Sequence, residues 1–472
     1  MFKLRGYQDK GVEACKEVLL SKVTTKQVVV APTGAGKSIY IAYAAKYVDY
    51  PLIVLQPSKE LLKQNYSKFT QIGEKASIYS VSCKEFQRNR IPYTTIDGKE
   101  KPCQEIGHIT YATIGSIMKD WEKFKKLGVK GIIIDECHIG TQKNSQIKKF
   151  IKKVNIKNVL GLTATPIYLS NTMEGAVLKI ITRVRSKLFS DIKHVTQIEE
   201  LVRNKYWSPL VYRVFEEDGA VLKPNSNGLD FTEQSQKEFY ELNNIDKKVK
   251  VIVEKLRKQG IRKSILIFVP TIASAEELSV KIKDSRVVHS KMSMKERDEV
   301  IEDFRNLKID VVINVNIMAI GFDHPQLDTI ITTRPTMSIG IYYQSLGRGV
   351  RIHPTKASCA ILDFSGNFQR FGKVEELNFE HIEGYGWGMF KGDILLSDYP
   401  MMGINRPTKK SLALFRGKSG FIKFDFGKYK GKTIDEVGRE DKGYLVWMYD
   451  KFTFRGEKGR VLKEDIKNYL KL

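Results

Sequence analysis

The sequence predicts an α/β protein with two tandem parallel-sheet domains and a small basic α+β module at its C-terminal end. Short continuous apolar runs alternate with segments of helical periodicity in the first part of the chain, which is typical of parallel strands buried on both faces. The same alternation begins again near residue 264, so it predicts a second domain of the same class. A third observation is the change to a basic, glycine- and aromatic-rich composition after about residue 364.

The predicted strands are apolar segments that end in polar or glycine-containing loops. They are residues 27–30, 52–55, 131–134 and 159–162 in the first domain, and 264–269, 311–315, 329–332 and 360–364 in the second. Helical periodicity over 59–69 and 147–154 supplies the crossover helices that parallel strands require. Residues 210–216 alternate in polarity, which predicts an antiparallel strand between the domains.

These patterns divide the chain into five parts. We expect the first domain over residues 1–208, a connector over 209–244 and the second domain over 245–368. Residues 369–420 are expected to form a glycine- and aromatic-rich linker or appendage, and residues 421–472 the small basic module.

Composition and charge restrict the class of protein. The 472 residues include 79 Lys and Arg against 54 Asp and Glu, a net charge of +25 that favours a polyanionic partner. With 42% hydrophobic and 28% charged residues, wholesale disorder is excluded. The five cysteines are scattered, and no apolar run has the length of a membrane span. We therefore expect a cytoplasmic protein, from a bacterium or a phage-infected cell, without a membrane partner.

Residues 31–38, with the sequence APTGAGKS, follow the first predicted strand and precede an apolar helix. This is the context of a phosphate-binding loop, in which Gly34 and Gly36 let backbone N–H groups turn toward phosphate oxygens. Lys37 is expected to reach the β- and γ-phosphates of ATP, and the Ser38 hydroxyl to ligate Mg²⁺. The sequence thus predicts ATP and Mg²⁺ as cofactors.

Residues 131–138, with the sequence GIIIDECH, form a predicted buried strand that ends in two acids. Burial of paired carboxylates is costly without a cation, and Mg²⁺ would supply one. Asp135 is therefore expected to hold the metal ion, and Glu136 to orient and deprotonate the attacking water. Cys137 is expected to be a packing residue. His138 has no partner histidine on its face, which favours a coupling role over zinc binding.

The chain resembles the superfamily 2 helicases and translocases, whose two domains are RecA-like. The resemblance covers about residues 1–368 and depends on an ordered set of motifs, with a DECH variant of the DEAD/DEAH box. The matching segments are 4–8 for the Q motif, 31–38 for motif I, 57–64 for Ia, 110–116 for Ib, 135–138 for II, 163–166 for III, 265–271 for IV, 314–323 for V and 343–351 for VI. Residues 334–338 and 362–365 are similar to the branch that contains XPB-like and type III restriction helicases, which favours DNA over RNA.

This resemblance implies roles for individual residues. The catalytic residues would be Lys37, Asp135, Glu136, His138, Gln344, Arg348 and Arg351, with Ser38 and Asp135 as metal ligands. The nucleotide would contact Arg5, Gln8, Pro32, Thr33, Gly34, Ala35, Gly36, Lys37, Ser38, Gly321 and Asp323, with two hydrogen bonds between Gln8 and the adenine edge. Thr163 and Thr165 would couple the motifs. Nucleic acid would cross both domains at Ser58, Lys59, Thr113, Thr271, His289 and Asn316, where short polar side chains hold phosphates without identifying bases.

Motif VI places polar residues at helical spacing. Gln344, Arg348 and Arg351 are four and then three residues apart, so on a helix they would project from one face. Two arginines brought across an interdomain cleft suit the charge of a γ-phosphate in the transition state. ATP is therefore expected between the two domains. The alternative for these arginines is a solvated basic helix end.

The C-terminal segment 424–432, with the sequence FDFGKYKGK, resembles the small basic module at the C-terminus of exodeoxyribonuclease X. Residues 401–472 contain 18 Lys and Arg against nine Asp and Glu, a net charge of +9. Lysines interleaved with aromatic side chains suit contact with a nucleic-acid backbone and stacking on bases. These residues are Lys428, Lys430, Lys432, Phe426, Tyr429 and Trp447. The alternative is that the aromatics pack on one another as the core of the module.

Together these features predict an ATP-dependent DNA helicase or translocase, a nucleic-acid-dependent ATPase that moves on or unwinds DNA. Three alternatives stay open: a duplex translocase that does not separate strands, an RNA helicase, and a nucleic-acid-binding protein without turnover. The expected partner is single-stranded, branched or duplex DNA, with RNA less favoured. We expect a monomer that works with nuclease, replication or recombination proteins.

Overall fold

The computed structural model describes most of the chain. The described residues are 4–80, 93–94, 100–101, 107–140, 145–172, 175–184, 186–315, 324–383, 385–398, 408–409, 424, 427–430, 432–454, 462–463, 466–467 and 469–470. Within this part of the chain, every helix is too short or too polar to cross a lipid bilayer.

Fifteen helices are present in the described residues. They are α1 Gly6–Leu19, α2 Lys37–Lys46, α3 Lys59–Gln71, α4 Ile114–Ile117, α5 Trp121–Lys126, α6 Gln146–Val154, α7 Ile198–Arg203, α8 Glu233–Leu242, α9 Ile245–Gln259, α10 Ile272–Lys281, α11 Met294–Arg305, α12 Ile339–Leu346, α13 Asn367–Phe371, α14 Ile434–Glu440 and α15 Lys442–Lys451.

The strands form sheets of two to seven members. They are β1 Thr25–Val30, β2 Leu52–Gln56, β3 Ser77–Tyr79, β4 Tyr93–Thr94, β5 Glu100–Lys101, β6 Ile109–Thr113, β7 Gly131–Asp135, β8 Asn158–Thr163, β9 Ile167–Thr172, β10 Gly175–Ile180, β11 Asp191–Val195, β12 Leu210–Val214, β13 Ile265–Phe268, β14 Arg286–Val288, β15 Val311–Asn314, β16 Thr329–Thr332, β17 Cys359–Asp363, β18 Leu377–Ile382, β19 Gly386–Lys391 and β20 Ile394–Leu395.

The first large sheet has seven strands in the order β11-β1-β8-β7-β2-β6-β3, and its paired strands are parallel. Every residue of β7 and β8 is buried, as expected for central strands that are covered on both faces by helices. The four strands predicted for the first domain are all present. Because all strands run the same way, their carboxyl ends meet at one edge, where ligands bind in open α/β sheets.

The second large sheet has six strands in the order β12-β17-β16-β13-β15-β14, again with parallel pairs. The strand predicted at 210–216 exists as β12, but its predicted antiparallel orientation is wrong, because β12 pairs parallel to β17. Its alternating burial comes from its position at the edge of the sheet, where one face is partly covered and the other is exposed. The two tandem parallel-sheet domains predicted from the sequence are confirmed.

The chain forms two compact units, one with the described residues up to Asn378 and one with those from Phe379 onward. The first unit contains both large sheets. In the second unit β19 and β20 pair antiparallel, and α14 and α15 bury an apolar cluster that includes Phe424, Tyr429, Val437, Leu445 and Met448. The division of the chain into five parts, with its boundaries, stays a prediction.

Candidate active site

The loop between β1 and α2 has the backbone of a phosphate-binding loop. Gly34 and Gly36 have φ angles of 78° and 92°, in the left-handed region where glycine is favoured. A Cβ atom on Gly36 would lie 2.9 Å from Gln8 Nε2, so a side chain does not fit there. Gly36 is also the N-cap of α2, whose first N–H groups lack helical partners and suit an anion.

Lys37, the first residue of α2, forms an ion pair with the second acid of the DECH segment. Its Nζ lies 2.6 Å from Glu136 Oε1, and both side chains are largely buried. Burial opposes ionisation of Glu136, but the charge and hydrogen bond of Lys37, with the charge of Arg348, contribute to lowering the pKa of this carboxyl. The loop that binds phosphate is thus connected electrostatically to the candidate general base.

Asp135, at the end of β7, is held by two hydrogen bonds. Its Oδ1 accepts from the Glu136 N–H at 2.9 Å, and its Oδ2 accepts from Asn65 Nδ2 at 2.9 Å. Burial, together with the neighbouring Glu136 charge, raises the pKa of Asp135 to about 6. The protein alone therefore stabilises this carboxylate incompletely, as expected of a residue that binds a cation.

Glu136 has an unusual backbone conformation with φ of 45°. The left-handed region is rare for residues other than glycine and costs of order 1–3 kcal/mol, and such residues cluster at functional sites. Its Oε2 atom is buried, lies 3.5 Å from His138 Nδ1 and makes no hydrogen bond within the described residues. One carboxylate oxygen of Glu136 is thus available to a water molecule.

The donor set fits Mg²⁺. No group of three or more His, Cys, Asp and Glu side chains is assembled for a metal among the described residues. Mg²⁺ does not need such a group, because it keeps several waters and is usually held by one or two protein ligands and substrate phosphates. Asp135, with its raised pKa, and the hydroxyl of Ser38 next to Lys37 are the residues that would hold it.

A hydrogen-bond relay connects the DECH segment to motifs III and VI. His138 Nδ1 lies 2.8 Å from Thr163 Oγ1, and His138 Nε2 accepts from Gln344 Nε2 at 3.2 Å. Thr163 Oγ1 also accepts the Thr165 N–H at 3.0 Å. These contacts fit a neutral imidazole with its proton on Nδ1, and burial lowers the pKa of His138 accordingly. The structure thus brings together the four residues predicted for catalysis and coupling in these motifs.

The predicted helical face of motif VI is wrong. Helix α12 ends at Leu346, so Gln344 is helical but Arg348 and Arg351 lie beyond the helix end. The residue after the helix is Gly347, where a Cβ would lie 2.1 Å from Thr33 Oγ1, so close packing requires glycine, a poor helix former, at this position. Arg348 is buried, and its charge acts on Glu136, whereas Arg351 is only partly buried.

The Q-motif residue Gln8 is fully engaged within the protein. Its Oε1 accepts the Arg5 N–H at 3.0 Å, and its Nε2 donates to the Ala35 carbonyl at 3.1 Å. The Arg5 guanidinium lies over the Tyr206 ring, 4.2 Å from its centroid. Gln8 therefore holds the phosphate-binding loop, and adenine contact by Gln8, which stays a prediction, would require exchange of these bonds.

The residues predicted to contact nucleic acid follow other strands at the same carboxyl edges. In the first sheet, Ser58 and Lys59 follow β2 and Thr113 ends β6, on the opposite side of β7 from the phosphate-binding loop. In the second sheet, Thr271 follows β13 and His289 follows β14.

Two of the residues predicted to contact nucleic acid already use their hydroxyl oxygens within the protein. Ser58 and Thr271 cap α3 and α10 through hydroxyls that accept backbone N–H groups. The predicted residues Gly321, Asp323 and Asn316 lie outside the described residues.

The lysines of the C-terminal module differ in whether they form ion pairs. Lys428 pairs with Asp441 at 3.3 Å, and Lys432 pairs with Glu440, whereas the exposed Lys430 forms no ion pair with the described residues. Tyr429 is buried and donates to Asp441, so it belongs to the core of the module. Trp447 is 50% exposed and keeps an accessible ring. Phe426 lies outside the described residues.

Three site residues had no prediction from the sequence. Asn65 orients Asp135, and Trp207 and Tyr343 contact the phosphate-binding loop through Thr33. Asn65 lies four residues after Leu61 of the Ia segment, on the buried face of α3, so helical periodicity could have indicated it. Trp207 has no sequence signal beyond its position just before the second domain.

Comparison with known proteins gives three family matches along the chain. Residues 1–168 match the res subunit of type III restriction enzymes, residues 247–353 match the helicase conserved C-terminal domain, and residues 424–452 match the exodeoxyribonuclease X-like C-terminal family. The predicted resemblance of the C-terminal module is thereby confirmed.

Individual relatives agree with these families. A Saccharomyces cerevisiae protein named as an ATP-dependent helicase, IRC3, is 25% identical over 77% of this chain and 51% of its own length. Helicase 22 of a Sulfolobus islandicus filamentous virus is 26% identical over 80% of this chain and 67% of its own. This chain spans 51% of the length of IRC3 and 58% of the length of a Schizosaccharomyces pombe relative named as a mitochondrial ATP-dependent helicase.

A solved structure shares the fold. A fragment of an HsdR subunit of a type I restriction enzyme from Vibrio vulnificus superposes with a TM-score of 0.55 at 16% identity, over 78% of this chain and 65% of that fragment. Two helicase family models lie in order along a chain with two parallel sheets. These matches support a superfamily 2 helicase of the type III restriction-like branch.

Proposed function

We propose that this protein is an ATP-dependent DNA helicase or translocase that couples hydrolysis of ATP to movement on, or unwinding of, DNA. The observation that carries this proposal is the ion pair of Lys37 and Glu136 in the first domain, with the buried Arg348 of the second domain close enough for its charge to act on Glu136. Such a site needs both sheets to be complete, so hydrolysis and relative domain movement are linked. Cytoplasmic action as a monomer, with nuclease, replication or recombination proteins, is part of the proposal.

The ion pair of Lys37 and Glu136 suggests how ATP binding prepares the base. A γ-phosphate would compete for Lys37, because phosphate carries more charge than a carboxylate. Loss of the Lys37 contact would raise the pKa of Glu136, since this lysine is the main charge that lowers it. Glu136 would then be a stronger base for the water that its free oxygen holds.

Mg²⁺, when bound, would neutralise developing charge on the β- and γ-phosphates. Asp135 and Ser38 would hold it, and Asn65 keeps the Asp135 carboxylate in place by its hydrogen bond. Arg348 would reach the γ-phosphate from the second sheet and stabilise the transition state. The relay from Thr163 through His138 to Gln344 would transmit the resulting movement between the two sheets.

Several features support DNA as the track. The net charge of +25 suits a polyanion, and the family matched by residues 1–168 is named for a DNA restriction enzyme. The polar residues that follow β2, β6, β13 and β14 lie at the carboxyl edges of the two sheets, away from the strand that carries the phosphate-binding loop, and such residues can hold phosphates without identifying bases.

Strand displacement with matched substrates tests the type of activity. We expect ATP-dependent separation of a forked DNA duplex, with less activity on the corresponding RNA duplex. Displacement of a third strand from a DNA triplex without separation of the fork would instead identify a duplex translocase. Stimulation of ATP hydrolysis by RNA but not by DNA would contradict the choice of DNA.

Binding to nucleic acid is expected to be strongly salt-dependent and weakly sequence-specific. Each phosphate contacted on duplex DNA contributes about −0.9 to the slope of log affinity against log salt. Titration of a labelled duplex at four salt concentrations, with scrambled sequences as the control, measures both properties. A flat salt dependence, or strong preference for one sequence, would contradict the proposal.

The C-terminal module is expected to help bind DNA and to leave basal hydrolysis unchanged. Deletion of residues 403–472 should raise the DNA concentration for half-maximal stimulation and flatten the salt slope. Lys430→Ala alone should reduce the slope by about one phosphate contact, because Lys430 is exposed and lacks an acidic partner in the described module.

The matched control for this prediction is Lys250→Ala, at an exposed lysine on α9 that pairs with Glu254. If the deletion only lowers the melting temperature of the protein and leaves DNA affinity unchanged, the module is a structural support.

A further inference from the structure

The segment that joins the two large sheets contacts both halves of the active site. The Trp207 indole Nε1 donates to the Thr33 carbonyl at 3.1 Å, and the next residue, Ser208, donates its N–H to the Val350 carbonyl at 2.7 Å. Thr33 lies in the phosphate-binding loop, and Val350 lies between the two arginines of motif VI. Two consecutive residues therefore bond to the loop that holds phosphate and to the loop that carries Arg348.

Thr33 is enclosed on three sides by these elements. Its N–H lies 3.4 Å from the Tyr343 hydroxyl, its carbonyl accepts from Trp207, and its side chain packs on Gly347 so closely that a Cβ there would lie 2.1 Å from Thr33 Oγ1. A Cβ on the next residue, Gly34, would lie 3.5 Å from the Trp207 Nε1 atom. Movement of this part of the loop must therefore displace the Trp207 indole.

The backbone of Trp207 is hydrogen-bonded to α7, which precedes it in the first domain. The N–H groups of Tyr206 and Trp207 both donate to the carbonyl of Leu201, a fully buried residue at the end of α7. From Ser208 onward the chain bonds to motif VI and then enters β12. The peptide between Trp207 and Ser208 is thus the point where the chain passes from one domain to the other.

A cavity borders the two residues Trp207 and Ser208. A cavity of about 340 Å³ is lined by Trp207, Ser208, Lys205, Ile352 and Lys356, among other residues. Trp207, only 4% exposed, thus borders this cavity and also bonds to the phosphate-binding loop. An indole that loses its bond to Thr33 therefore has this volume beside it.

We propose that Trp207 is a positioning residue of the ATPase site: its indole N–H holds Thr33 in place and, through Ser208, links the position of the phosphate-binding loop to that of the Arg348 loop. This inference rests on the proposed ATPase function and deepens it. Trp207 acts through Thr33 and Val350 and does not itself touch the reacting phosphate.

The test is Trp207→Phe, which keeps an aromatic ring but removes the N–H donor. The Thr33 carbonyl then lacks its Trp207 donor when the two domains assemble the site. The assembled site is therefore populated less often. We expect about a tenfold loss of kcat for DNA-stimulated ATP hydrolysis, with KM for ATP changed less than twofold and an unchanged melting temperature. Trp121→Phe, at α5, is the matched control and should behave as wild type.

Fluorescence gives a second readout that does not need turnover. The chain has four tryptophans, so removal of one leaves a measurable signal. We expect MgADP to change the emission of the wild type and of Trp121→Phe, and the change to be lost in Trp207→Phe although MgADP still binds in an equilibrium assay. Tyr343→Phe removes the other polar contact to Thr33, and its effect on kcat should be non-additive with Trp207→Phe.

The outcomes separate this inference from the function on which it rests. No ATP hydrolysis by the wild type with any nucleic acid would reject the proposed function, while the MgADP fluorescence arm would still decide the role of Trp207. Wild-type kcat in Trp207→Phe, or an unchanged fluorescence response, would overturn the positioning role. A lower melting temperature with unchanged kcat would assign Trp207 to structure alone.

Discussion

Replacement of Glu136 by glutamine is expected to reduce ATP hydrolysis by about 10²- to 10⁴-fold, the contribution of a general base. The amide is nearly the same size as the carboxylate but cannot accept the proton of the attacking water. It also removes the ionic partner of Lys37, whose Nζ lies 2.6 Å from Glu136 Oε1. Lys37 is then free for phosphate, so ATP should bind at least as tightly as in the wild type.

Lys37→Ala is the informative contrast to Glu136→Gln. Both variants should lose turnover, but Lys37→Ala should also lose ATP affinity, because Lys37 is the cation assigned to phosphate capture. Glu136→Gln should in addition retain DNA in the presence of ATP. Equilibrium binding of labelled ATP and phosphate release on the same samples separate the two effects, with Glu254→Gln, at an exposed residue of α9, as the control. Near-normal hydrolysis by Glu136→Gln would show that another group is the base.

Replacement of Arg348 by alanine is expected to cut the rate by about 10³-fold or more, the scale of an arginine finger. Arg348 is 7% exposed, and its charge lowers the pKa of Glu136, so it faces the hydrolysis site from the second sheet. ATP affinity should change much less, since Lys37 and the glycine-rich loop remain. Arg348→Lys should recover little activity, because lysine lacks the planar fork of guanidinium.

Arg351 gives a comparison within the same motif. It is only partly buried, and its charge acts on Lys356. Its replacement by alanine is therefore expected to cost less than that of Arg348, while Arg203→Ala, at an exposed residue of α7, serves as the surface control. Single-turnover phosphate release separates chemistry from binding. Equal losses at positions 348 and 351 would contradict the geometry of motif VI given by the structure.

The parts of the site that follow a strand could be predicted from the sequence. A buried apolar run followed by APTGAGKS or by DECH fixes both the strand and the residues at its carboxyl end, because the loop begins where the strand stops. Gly36 and Asp135 accordingly lie where their motifs predict. Apolar runs likewise predict strands of both sheets, and alternating polarity predicts the position of β12.

Long-range packing accounts for what the sequence could not predict. The spacing of Gln344, Arg348 and Arg351 favours one helical face, but α12 ends at Leu346, and the glycine that follows it packs against Thr33, which is more than 300 residues earlier in the sequence. Nothing in the local pattern contains that contact. The direction of β12 is a second example, since alternating burial describes an edge strand whether its neighbour is parallel or antiparallel.

The role of Trp207 was hidden for the same reason. Its side chain contacts Thr33, 174 residues earlier, and its neighbour Ser208 contacts motif VI. A lone tryptophan between domains has no periodicity or motif that distinguishes it from a packing residue.

The central claim is that the two sheets together form one nucleic-acid-dependent ATPase site. The most direct test is phosphate release by the full chain, with and without saturating DNA, compared with Lys37→Ala and Arg348→Ala under the same conditions. The account predicts DNA-stimulated hydrolysis by the wild type and loss of that stimulation in both variants, although their mutated residues belong to different sheets. Hydrolysis that DNA does not stimulate, or that survives Arg348→Ala, would contradict it.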